Sequence, residues 1–179
     1  MKKISLTIYN HDKSIPSDGY ILRAAEGFFR DLGREPPKSV ERTAGGKPYF
    51  NEDGIFVSLS HSAGYVAVAV SGVEVGVDLQ VHKRCNQSAI AKRFFHPSEQ
   101  EFLADNPGCF FDIWALKESF AKLTGKGIIK SFQNFSVADS SGLKHREQGV
   151  FLFLREFSHE FSLAIASGIE AEITVIIMT

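Results

Sequence analysis

Apolar and polar residues alternate from Ile4 to Tyr9, the period-two pattern of a half-buried strand, until Asn10-His11-Asp12 breaks it. From Gly19 to Leu32 the period becomes helical: Ile21, Leu22, Ala25, Phe28, Phe29 and Leu32 fall inward and Gly33 supplies a stop. Arg34 to Pro48, rich in Pro and Gly, reads as a loop. Three short runs follow: Ile55 to Ser60, Tyr65 to Ser71 turned by Gly72, and Val75 to Leu79 with an acid near its end. Their adjacency predicts one small antiparallel sheet. Ser88 to Phe95 predicts a helix, and His96-Pro97-Ser98-Glu99-Gln100-Glu101 marks the start of another. Its cap is either His96 before a Pro at the first helical position or a Ser98–Glu101 capping box. A further helix spans Phe110 to Thr124, and strands are expected at Phe132 to Val137, Gly149 to Phe157, Ser162 to Ala166 and Ile173 to Met178.

The Phe110–Thr124 helix carries unusual patterning. At helical spacing Ile113, Leu116, Phe120 and Leu123 form a core stripe, while Trp114, Lys117, Glu118, Ala121 and Lys122 share the opposite one. An exposed Glu118–Lys122 pair accounts for the charges but leaves the only tryptophan on their face. An aromatic ring, two ammonium groups and a carboxylate suit a phosphorylated ligand held with a metal ion.

The chain also resembles itself. Ser60-His61 followed by Ala67-Val68-Ala69-Val70-Ser71-Gly72-Val73-Glu74 is echoed by Ser158-His159 followed by Leu163-Ala164-Ile165-Ala166-Ser167-Gly168-Ile169-Glu170. The match runs past the strand into its turn and acid, so a duplicated sheet-and-helix unit is expected. That gives a single unit over residues 1–179, with pseudo-symmetric lobes of about 1–85 and 86–179 and a ligand cleft between them.

Composition narrows the class. With 44% hydrophobic and 23% charged residues the chain is a globular protein and not a disordered one. A formal net charge of −1 argues against nucleic acid as a main partner, since Lys83-Arg84 and Lys92-Arg93 are short local pairs. Cys85 and Cys109 lack zinc-site spacing, so reduced thiols in a cytoplasmic protein are expected. The start, Met1-Lys2-Lys3 followed by an alternating run, does not read as a secretory segment, and no stretch is long enough to span a membrane.

Four other segments offer matching chemistry. Gly45-Gly46-Lys47-Pro48 is a turn whose lysine suits a phosphate, and Ser60-His61-Ser62 supplies hydroxyl and imidazole donors for an anion. A Ser60–His61–Asp78 hydrolase lacks the Gly-x-Ser-x-Gly elbow. Asp78 and Glu118 together make a hard-oxygen site for Mg²⁺, which takes one or two carboxylates plus substrate phosphates. Lys47, His61, Lys117 and Lys122 are the accompanying cationic groups, and the implied chemistry is transfer at phosphorus.

In order, Gly46-Lys47-Pro48, Ser60-His61-Ser62, Gly76-Val77-Asp78-Leu79-Gln80, Ala91-Lys92-Arg93-Phe94-Phe95 and Trp114 to Lys122 with Gly125-Lys126-Gly127 resemble the motifs of 4'-phosphopantetheinyl transferases of the surfactin-synthetase-activating type. The resemblance implies an α+β fold of two pseudo-symmetric lobes, each a small antiparallel sheet with packed helices. It implies binding of coenzyme A and Mg²⁺ and transfer of the phosphopantetheine arm to a serine of an apo acyl or peptidyl carrier protein. Lys47 and Pro48 would then lie near the nucleotide end, with Arg42 a weaker candidate there. Ser60 and His61 would contact phosphate groups, Asp78 and Glu118 would hold metal, and Lys117 and Lys122 would meet the diphosphate. Glu118 is the candidate base and Lys122 the group that attends the leaving oxygen. The family's usual acid two positions after the metal aspartate is here Gln80, a neutral ligand at best. That change motivates the alternative of a non-catalytic protein that binds coenzyme A or a carrier. A monomer is expected, because a duplicated chain builds the cleft alone.

Overall fold

The computed structural model describes residues 3–125 and 132–178. The first alternating run forms β1 (Lys3–Asn10) and the amphipathic segment forms α1 (Ser17–Asp31). Within the Pro- and Gly-rich loop a short hairpin pairs β2 (Glu41–Arg42) with β3 (Pro48–Tyr49). Next come β4 (Phe56–Ser62) and β5 (Tyr65–Ser71), joined through Ala63 and Gly64, both at positive φ as a two-residue type I′ turn requires. β6 (Val75–Val81) leads into α2 (Gln87–Phe94), α3 (Pro97–Asp105) and α4 (Phe110–Thr124). The remainder holds β7 (Ala138–Asp139), β8 (Gly142–Leu143), β9 (Arg146–Glu147), β10 (Val150–Arg155), β11 (Phe161–Ser167) and β12 (Glu172–Met178).

Two four-stranded sheets result, ordered β12-β1-β5-β4 and β6-β11-β10-β9. Within them every neighbouring pair is antiparallel except β1 with β12, which run parallel. The inner faces meet in a shared apolar layer: Ile4, Leu6, Ile8, Ala67 and Ala69 from one sheet, Val75, Val77, Leu79, Leu163 and Ile165 from the other. α1 covers the outer face of the first sheet with Tyr20, Ile21, Ala25 and Phe29. α4 covers the outer face of the second, over Leu152, Ala164 and Ala166. The fold is therefore α+β, with small sheets and packed helices as expected.

The halves share a strand–helix–strand–strand order. β1 lies beside β5 as β6 lies beside β11, with Ile4 opposite Ser71 and Val75 opposite the matching Ser167. His11 N donates to Gly64 O at 2.8 Å and His82 N donates to Glu160 O at 2.7 Å, at corresponding places.

Three expectations need correction. β4, β5 and β6 do not form one sheet: β6 hydrogen-bonds to β11 and lies at the edge of the second sheet. Serine side chains of β4, not its backbone, meet that edge. For the same reason the lobes 1–85 and 86–179 do not coincide with the sheets, since β6 joins the second and β12 the first. Phe132 to Val137 is not a strand but a short 3₁₀ turn, Phe132–Asn134, and extended chain. Its backbone is used by side chains: Phe135 O accepts from Lys117 Nζ and Val137 N donates to Glu99. The cap of α3 is His96, whose Nδ1 accepts from Ser98 N while the Glu99 carboxylate accepts from His96 N.

Candidate active site

α4 is buried around most of its circumference, and Gly125 ends it in the left-handed conformation at φ 66°. Lys126 and Gly127, the rest of that motif, lie outside the described residues, as do Met1 and Lys2. The expected two-stripe division does not hold. Trp114 packs with the rings of Phe94, Phe95 and Phe132, and Lys117 points into the interior.

Lys117 is 0% exposed. Its Nζ donates to Glu99 Oε1 and to Phe135 O, both at 2.8 Å, and stands 4.2 Å from the Phe135 ring centroid. Burial lowers its pKa and Glu99 opposes that shift. Glu99, also 0% exposed, accepts from Val137 N and His96 N besides Lys117. Lys117 is thus fully occupied with α3 and the 132–137 segment, and the structure does not bring it to Asp78. The helical wheel could not show this, because the partner that draws Lys117 inward stands on another helix.

One residue further on, Glu118 faces β6. It is 7% exposed, and burial together with the Asp78 carboxylate pushes its pKa up to about 7, against the opposing pull of Lys122. Lys122 Nζ donates to Asp78 Oδ1 at 2.8 Å and to Val77 O at 3.0 Å. Asp78 Oδ1 also accepts from Ser60 Oγ at 2.8 Å, whereas Asp78 Oδ2 is buried without a hydrogen-bond partner among the described residues. Glu118 and Lys122, expected on one helix stripe, and Asp78, expected near the end of an apolar strand, form one cluster. What lets α4 approach β6 this closely is Gly76, where a Cβ would stand 2.0 Å from Ser119 O.

Beside Lys122 opens a cleft of about 750 Å³, with Arg42, Lys47, Pro48, Ser58, Glu74 and Lys122 in its walls. The β2–β3 hairpin, β4 and the end of α4 enclose it. Lys47 Nζ donates to Leu123 O at 2.8 Å, a cation at a helix C-terminus; burial lowers its pKa and Glu74 raises it. Arg42 is exposed, paired with Asp18 and donating to Gly46 O at 3.2 Å. Strand alternation separates the other expected pair. Ser60 turns toward β6, while His61 is exposed on the opposite face with its ring stacked on His11, centroids 6.3 Å apart.

Among the described residues, two carboxylates of low exposure with one neighbouring ammonium group suit a divalent cation. Asp78 Oδ2 is an oxygen lacking a donor, and Glu118 makes no hydrogen bond to a described residue. Among the described residues no three His, Cys, Asp or Glu side chains gather, so those two are the acidic ligands available. Gln80, half-buried on the Asp78 face of β6, turns its amide N–H to Val81 O at 3.0 Å. Sequence reasoning missed Ser58, Glu74 and Glu99, and took Ser62 only as part of an anion-donor motif, whereas its Oγ accepts from Val81 N. The serines carried a signal, since 58, 60 and 62 share one strand face; Glu99 carried none.

Comparisons with known proteins bear on this arrangement. Over 102 residues the chain is 38% identical to the 4'-phosphopantetheinyl transferase psf-1 of Bacillus pumilus, covering 54% of this chain and 43% of that protein. It is 34% identical over 132 residues to the 4'-phosphopantetheinyl transferase HetI of Nostoc sp., covering 67% and 55%, respectively. The Bacillus subtilis (strain 168) 4'-phosphopantetheinyl transferase Sfp is 35% identical over 85 residues, covering 45% and 38%. The chain spans about half the length of the curated relatives it matches. Residues 74–169, which run from β6 through α4 to the end of β11 and carry Asp78, Glu118 and Lys122, match the 4'-phosphopantetheinyl transferase superfamily, and the chain belongs to that family.

Proposed function

We propose that the chain transfers the 4'-phosphopantetheine arm of coenzyme A to a serine hydroxyl of an apo acyl or peptidyl carrier protein. The hydroxyl oxygen bonds to the phosphorus carrying the arm, the bond from that phosphorus to the diphosphate bridging oxygen breaks, and adenosine 3',5'-bisphosphate leaves. The observation that carries this reading is the Asp78–Lys122–Glu118 cluster, whose Lys122 also lines the wall of a cleft of about 750 Å³.

Asp78 and Glu118 would hold Mg²⁺, with Gln80 a neutral neighbour, and the ion would neutralise charge on the diphosphate. The remaining work falls to the chain itself. Glu118, 7% exposed and beside Asp78, accepts the hydroxyl proton. Lys122, already oriented by Asp78 and Val77 O, stabilises or protonates the departing oxygen. Lys47, Pro48 and Arg42 line the nucleotide end, and exposed His61 is the remaining candidate for a phosphate contact. Lys117 acts from the interior through α4. A monomer is the expected state, as a duplicated chain builds both sheets itself, and no described helix is long and apolar enough to cross a membrane. We place the reaction in the cytoplasm.

The test incubates the protein with coenzyme A, Mg²⁺ and apo carrier proteins of fatty-acid, polyketide and peptide synthesis, then weighs each carrier intact. A gain of one phosphopantetheine group is expected. Coenzyme A binding with no gain on any carrier would overturn catalysis in favour of a binding protein.

A further inference from the structure

Ser58, Ser60 and Ser62 alternate along β4, so all three face the free edge of β6. The outer two take up backbone groups: Ser58 Oγ accepts from Val77 N and Ser62 Oγ accepts from Val81 N, each at 3.0 Å. Their constant offset sets the two strands side by side in parallel without a backbone ladder. Ser60 breaks the pattern by donating to Asp78 Oδ1 at 2.8 Å, and it is only 5% exposed.

We propose that Ser60 is a positioning residue for the Asp78 carboxylate, held in place by the Ser58 and Ser62 fasteners, and not a contact to the substrate's phosphates. A hydroxyl has one hydrogen, and that of Ser60 is committed to Oδ1. Ser60 and Lys122 approach the same oxygen from β4 and from α4, which fixes rotation about the Cβ–Cγ bond. Oδ2 is then the oxygen left without a hydrogen-bond partner among the described residues. Without Ser60 the carboxylate is held by Lys122 alone and either oxygen can turn toward it. Outer partners of this kind commonly govern metal affinity as strongly as they govern geometry.

The inference rests on Asp78 being a metal ligand, so the experiment separates the two. Calorimetric titration of Mg²⁺ into protein saturated with coenzyme A, with no carrier present, is compared for wild type and Ser60→Ala; coenzyme A affinity in EDTA is measured for both. Ser60→Ala is expected to weaken Mg²⁺ binding roughly tenfold and leave coenzyme A affinity in EDTA unchanged. Ser60→Thr, which keeps the hydroxyl, is expected to recover most of the Mg²⁺ affinity. Absence of Mg²⁺ binding in wild type overturns the metal site itself. Equal Mg²⁺ affinity in wild type and Ser60→Ala overturns the positioning role alone. A fall in coenzyme A affinity in EDTA makes Ser60 a phosphate contact and overturns the proposal.

Discussion

Lys117 and Glu118 are neighbours in sequence with opposite surroundings, about 100° apart on the helix. Lys117 ends in a satisfied interior pair, so Lys117→Met is expected to strand Glu99 and cost roughly 3–5 kcal/mol in urea unfolding. Adding Glu99→Gln should return part of that loss. Glu118 behaves differently because its carboxyl is raised from 4.5 to about 7. The folded state then holds a proton that the unfolded chain releases. The contribution is intact below about pH 4.5 and lost as pH rises through about 7. Without metal, Glu118→Gln should therefore gain stability over wild type between pH 5 and pH 8, by up to about 3 kcal/mol, while losing about a hundredfold or more in transfer rate. A stability difference independent of pH would contradict the burial of this carboxylate. Glu118 and Lys122 were legible from the stripe they share with the tryptophan and Asp78 from its place near the end of an apolar strand, while their roles followed from the motif resemblance. The inward turn of Lys117 was not, since Glu99 lies 18 residues away and no spacing rule connects them.

At the scale of elements, α4 was read with its observed ends because an apolar run closed by Gly125 fixes both. β6 was read as a strand but assigned to the wrong sheet. Sequence adjacency favours a hairpin, whereas Gly76 shows that this strand accepts a helix backbone at near contact. Gly76→Ala is expected to push α4 off β6, lowering the melting temperature and moving Glu118 and Lys122 away from Asp78. Retained stability and activity would mean that the helix does not sit where described. The β4–β5 turn makes a contrasting case. Ala63 is held at φ 42°, a conformation glycine adopts without the Cβ clash, so Ala63→Gly should stabilise by up to about 1 kcal/mol in the same unfolding assay. The 132–137 segment was misread because its apolar residues suggest a strand. They are buried instead as a wrapping around Lys117.

Across the whole molecule the internal repeat gave no sign that the last strand, β12, returns to the first sheet to pair with β1. Duplication also raises the question of a second site, which particular residues answer. Aligning Ser71 to Glu74 with Ser167 to Glu170 places Glu172 where Gly76 stands and Thr174 where Asp78 stands. The second copy lacks both the gap for a helix and the carboxylate. Calorimetry should find one coenzyme A per chain, and a stoichiometry of two would revive the duplicate site. The parallel pairing of β1 with β12, Lys3 opposite Glu172 through Tyr9 opposite Met178, has a consequence during synthesis. β1 leaves the ribosome with one edge unmatched and stays so until more than 160 residues later its partner emerges. A nascent chain stalled within β11 should therefore remain open to proteases and to edge-seeking chaperones, however complete its cleft residues already are.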